Sequence, residues 1–92
     1  MSPNQQTTVA IDYIKNEIKF LMEFKYEDQI VRSKDYIQMI LLLLIKLEIL
    51  SWPQVHILAE ELRVASGNAI AHLEYMQNTV SKKILFPNFH TG

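Results

Sequence analysis

The 92-residue chain contains no cysteine. That removes a disulfide framework, a thiolate zinc site and a cysteine nucleophile. Its only glycines are Gly67 and Gly92, too few for a loop that cradles phosphate. Neither sign of charge dominates: nine Lys and Arg against ten Asp and Glu leave a net charge of −1. Such a chain has no long-range field to draw it onto nucleic acid or an anionic membrane. Nor does it hold the run of about 20 apolar residues that a bilayer span requires. The opening MSPNQQTT lacks the basic start and apolar core of a signal peptide. These absences lead us to expect a cytoplasmic protein without membrane contact.

What is present is apolar residue in quantity, 49% of the chain, enough for the core of one small domain over residues 1–92. The densest stretch is Tyr36–Leu50, YIQMILLLLIKLEIL, interrupted only by Gln38, Lys46 and Glu48. At 100° per residue Ile37, Ile40, Leu41, Leu44 and Leu47 form one apolar face, and Met39, Leu42, Leu43, Ile49 and Leu50 cover much of the rest. A helix apolar nearly all round is expected to be buried nearly all round. In so short a chain that calls for cover from other helices or from a second copy. The outward-facing positions Met39, Leu42, Leu43, Lys46 and Leu50 are the candidate protein interface, and a homodimer is expected.

The remaining elements follow from periodicity and caps. Thr7 or Thr8 can cap a helix in which Ile11, Ile14, Ile18, Leu21 and Met22 share a face, with Tyr13, Phe20 and Phe24 beside them as core aromatics. Neither Gly nor Pro occurs between Pro3 and Pro53, so the next boundary is open. A turn within the polar segment 25–33, with Ser33 as a cap, gives a hairpin. Its absence gives a rod over residues 9–50, roughly 60 Å long. The hairpin is the preferred reading. Ser51-Trp52-Pro53-Gln54 fits a capping box, with Trp52 stapling the turn against the core. Ser66-Gly67-Asn68 reads as a break and a new cap. The prediction is an all-α, four-helix bundle-like domain with helices near 8–25, 33–50, 52–65 and 68–83. Residues 1–7 and 84–92 are expected to be loose or irregular tails, with Pro87 stopping any helix.

No arrangement of residues supports an enzyme. Ser51, Ser66 and Ser81 have simpler roles as caps or terminal polar groups. Glu60 and Glu61 are adjacent and point about 100° apart on a helix. His56 and Glu60 share a helix face, and with His72 they are the candidate zinc ligands, but a solvated His–Glu pair is the simpler reading. We expect no metal and no cofactor.

One segment, QVHILAEELRVASGNAIAHLEYM over residues 54–76, resembles the helix-turn-helix of winged-helix regulators, such as metal-responsive and antibiotic-resistance repressors. Leu58-Ala59, Leu62, Val64 and His72-Leu73 occupy the corresponding places. The resemblance covers about half the chain and implies an alternative, a DNA-binding transcriptional regulator. Its nucleic-acid contacts would come from Arg63, Asn68, His72, Tyr75, Lys82 and Lys83. The sequence departs from that pattern at the turn, where Arg63 and Ala65 replace glycine and serine. The second half is also neutral, whereas phosphate contacts supply much of DNA affinity. The leading expectation is therefore a small regulatory or adaptor protein acting through protein–protein contact, as immunity proteins, antitoxins and anti-factors do.

Overall fold

The computed structural model describes residues 2–89, with side chains described for residues 2–78. It is all-α, with three α-helices and no strand among the described residues: α1 (Pro3–Phe20), α2 (Glu27–Lys46) and α3 (Trp52–Phe89). A four-helix bundle was expected; the third and fourth predicted helices are one.

Ser2 opens α1 five or six residues before the expected cap. Its backbone N–H donates to Gln5 Oε1 at 3.0 Å, and the Gln5 N–H donates to Ser2 Oγ at 3.3 Å. Two orphan donors are thereby satisfied, and the expected loose tail is helical from Pro3. Thr7 serves a different purpose. Its hydroxyl reaches the carbonyl of Ile49 at 2.9 Å and ties α1 to the loop after α2.

The hairpin reading is correct, with its corner at residues 21–26, overlapping only the start of the expected 25–33. Helix α1 tightens into a 3-10 turn, Leu21–Glu23, and Phe24 and Tyr26 are extended. Tyr26 has no side-chain oxygen placed to cap, so no cap marks this boundary. Glu27 and Asp28 in the first turn of α2 supply negative charge near its positive end instead. Ser33 lies inside α2 and caps nothing.

Helix α2 ends by backbone geometry rather than composition. Glu48 adopts φ 60°. Its N–H donates to the Ile45 carbonyl at 2.9 Å, and the Ile49 N–H donates to that of Leu44 at 2.9 Å. This is a Schellman closure with glutamate in the left-handed position usually held by glycine. It turns the chain sharply and drives Leu50 into the core at 3% exposure. Ser51 then caps α3 as the sequence indicated: its N–H donates to Gln54 Oε1 at 2.9 Å, and its Oγ accepts from the Gln54 N–H at 3.4 Å.

The predicted break at 66–68 is absent. Gly67 has no positive φ and lies within α3. Ser66 is buried and, rather than capping, donates its hydroxyl to the Arg63 carbonyl at 3.0 Å. A single glycine lowers helix propensity by about 1 kcal/mol, and packing of Leu62 and Ala69 on either side offsets that. Helix α3 also continues through Pro87 to Phe89, where a stop was expected. Residues 90–92 of the expected irregular tail lie outside the described residues.

Helix α1 runs alongside α3 in the same direction, as shown by the Lys15–Glu61 approach of 3.9 Å and by the shared groove of Met22 and Met76. Helix α2 runs antiparallel to both. The core is a single seam of Ile14, Ile18, Leu21, Ile30, Ile37, Leu41, Leu50, Val55, Leu58, Leu62 and Ala69. At about 1.5 Å per residue, α3 measures about 57 Å, about twice α1 or α2. The radius of gyration is 18.4 Å and the longest extent 68 Å, against about 12 Å for a compact chain of this length. Among the described residues no helix is long and apolar enough to cross a membrane.

Candidate interaction surface

The apolar run of α2 supplies more than one face. Its buried side is Ile30, Ile37 and Leu41, repeating at seven and four residues, with Leu44 packed partly against the core. The all-round burial expected for Tyr36–Leu50 does not occur. A three-helix bundle covers only one side of α2, and the opposite side carries Tyr36, Met39, Leu42, Leu43 and Leu47, each more than half exposed.

Helix α1 contributes a second stripe beside it. Ile14, Ile18 and Leu21 face inward, while Val9, Tyr13 and Phe20, spaced by four and seven, face out. Tyr13 and Tyr36 bridge the two helices. Hydrogen bonding with Tyr36, then the nearby Glu17 carboxylate, push the Tyr13 phenol up to about 12. The Tyr13 phenol stays a neutral hydrogen-bonding group at physiological pH. The expected aromatic core is therefore corrected: Tyr13, Phe20 and Trp52 lie on the surface, and Phe24 alone of that set packs against the core.

Taking roughly 200 Å² for a fully exposed residue of this size, the eight apolar residues of α1 and α2 present roughly 800–900 Å² to solvent. The largest apolar patch on a typical monomer is about 300–600 Å². Of the five predicted interface residues, Met39, Leu42, Leu43 and Lys46 fall on exposed α2. Leu50 does not, because the turn at Glu48 buries it in its own chain. Val9, Tyr13, Phe20, Tyr36 and Leu47 are exposed as well and were not among the predicted positions. The signal for the α1 members was present: that helix has apolar residues on two faces, and one core can cover only one of them.

The residues proposed for nucleic-acid contact are not gathered into one basic stripe. Asn68, His72 and Tyr75 share a face of α3 at spacings of four and three. Arg63 lies on a different face, where its Nε meets both carboxylate oxygens of Glu60 at 3.2 and 3.1 Å. The hydrogen bond holds Glu60 below the usual carboxylate range and raises the Arg63 guanidinium further. The side chains of Lys82 and Lys83 lie outside the described residues. Residues 54–76 form one uninterrupted helix, so no turn separates a positioning helix from a recognition helix. The same continuity separates the suggested zinc ligands: His56 and His72 sit 16 residues apart on one helix, about 24 Å. No group of three or more metal-ligating side chains converges among the described residues.

A second apolar feature lies at the tip of the α1–α2 hairpin. Met22 and Phe24 face Leu73 and Met76 across an open groove of about 680 Å³, edged by Glu23, Lys25, His72 and Gln77. Comparison with known proteins returns no family, no curated protein and no solved structure that matches this chain.

Proposed function

We propose that this chain is a small cytoplasmic regulatory or adaptor protein that acts by binding protein through the exposed surface of α1 and α2, in the manner of immunity proteins, antitoxins or anti-factors. The observation that carries this reading is the apolar face running from Val9 to Leu47 across two helices, larger than the patches monomers usually leave in water. Interfaces are enriched in Tyr, Phe and Met and depleted in charge at their centre. This face has that composition, with Tyr13, Phe20, Tyr36 and Met39 inside it. Nothing in it resembles a reaction centre, and we propose neither catalysis nor a cofactor.

The rival reading, a DNA-binding regulator using α3, makes the opposite prediction about salt. DNA affinity comes largely from counterion release and weakens steeply as salt rises, whereas apolar burial changes little. We expect labelled random duplexes to show no anisotropy change with micromolar protein at physiological salt. We expect protein complexes to persist at about half-molar salt. Tight, salt-steep duplex binding that disappears when Arg63, Lys82 and Lys83 are changed to alanine would overturn the reading.

A further inference from the structure

We infer that the first partner of the α2 surface is a second copy of this chain, packed antiparallel through α2 about a two-fold axis. The axis passes at the level of Ile40 and Leu41. This rests on the protein-binding reading and names the occupant of its central ridge.

Three observations point to a second copy. The first is charge order. Along the outer side of α2 and its turn, beyond Asp28 in the first turn of the helix, the exposed charges run Arg32, Asp35, then Lys46, Glu48, with Met39, Leu42 and Leu43 between them. That order, plus, minus, plus, minus, is complementary to its own reverse. Antiparallel packing that sets Met39 of one copy over Leu42 of the other also sets Asp35 against Lys46, and Arg32 near Glu48, twice each. Parallel packing in register would bring like charges together, which is destabilising. Among the described residues none of these four side chains forms an ion pair, and the charges are turned to that pairing.

The second observation is what sits at the axis. In an isologous contact a surface meets itself, so a charge at the centre would face its own copy. The centre of this ridge carries only Met39, Leu42 and Leu43, and its flank carries Tyr36, whose hydroxyl both donates and accepts. The third is area. The exposed apolar residues of α2 and its cap offer roughly 600 Å², and the adjoining stripe of α1 brings the face to the about 800 Å² that each partner contributes to a standard interface.

The test is sedimentation equilibrium at low salt on the full chain, with circular dichroism confirming that each variant is folded. Asp35→Lys and Lys46→Asp should each weaken the wild-type dimer by about tenfold, because each turns two symmetric attractions into repulsions. The double variant Asp35→Lys/Lys46→Asp restores the opposite-charge pairing and should recover the wild-type dissociation constant. Both charges lie on the exposed side of α2, so neither change disturbs the core. Wild-type protein that sediments as a monomer at about 100 µM would overturn the inference. So would a dimer indifferent to both single reversals, or a folded double variant that fails to recover. These outcomes concern self-association alone. The wider protein-binding reading fails separately, if capture of a different protein is unchanged when Met39 and Leu43 are replaced by aspartate.

Discussion

Gly67→Ala distinguishes one long α3 from two shorter helices. In the interior of a helix, glycine costs about 0.5–1 kcal/mol relative to alanine, because it loses more backbone freedom on folding. That gain is realised only where the added methyl group has room and the backbone is helical. Both conditions hold here: Gly67 is exposed, a Cβ built on it would meet nothing within 4 Å, and its φ is not positive. The replacement should therefore stabilise the protein by close to 1 kcal/mol. In a domain of this size that raises Tm by about 4–8 °C. Urea unfolding followed by circular dichroism should show a higher midpoint with an unchanged slope, since the surface exposed on unfolding is the same. If residues 66–68 formed the turn of a helix-turn-helix, alanine there would strain the turn. An unchanged or lower Tm would refute the continuous helix and restore two helices in its place.

Glu48→Gly should also stabilise, by about 0.5–1 kcal/mol in chemical denaturation, because it relieves a left-handed backbone that costs a non-glycine residue roughly 1–2 kcal/mol; a loss of stability would show that the glutamate side chain is needed at the turn. Ser51→Ala should cost about 1 kcal/mol through the lost cap of α3, and an unchanged melting temperature would contradict that role. Leu62→Ala, at a fully buried position of α3, should cost about 2–5 kcal/mol, a large part of the about 5–15 kcal/mol available to a domain. Tyr13 should ionise at about 12 in a spectrophotometric titration, and Tyr36→Phe should bring it down toward 10. Its folded value is raised, so its contribution to stability is complete below about pH 10 and is lost as pH climbs through about 12.

The inward faces were legible because their spacing is helical: Ile14, Ile18 and Leu21 in α1, Ile37 and Leu41 in α2, Leu58 and Leu62 in α3. The Ser51–Gln54 box was legible because side-chain chemistry alone specifies it. The hidden boundaries were those made by backbone conformation. The α1–α2 corner uses a 3-10 turn and extended residues with no capping side chain, and the α2–α3 corner places a glutamate where a glycine would have announced it. The error at Ser66-Gly67-Asn68 has the opposite cause. Each of these residues favours a break locally, but Leu62, Ser66 and Ala69 fall on one buried face, and that packing overrides propensity. For the surface, the α2 candidates followed from too many apolar positions on one helix. Tyr13 and Phe20 were assigned to the core because hydrophobic identity alone does not tell which of two apolar faces the bundle will cover.

The most direct test of the protein-binding account compares tagged wild-type protein with a folded Met39→Asp/Leu43→Asp variant in capture from cells that naturally express it, each with and without nuclease. Both substitutions lie on the exposed side of α2 and leave Ile37 and Leu41 in place. The account requires that wild type retain a protein complex after nuclease treatment, and that the variant, with the same helical spectrum and melting temperature, lose it. Retention that vanishes with nuclease, or a complex equally strong with both proteins, would contradict it.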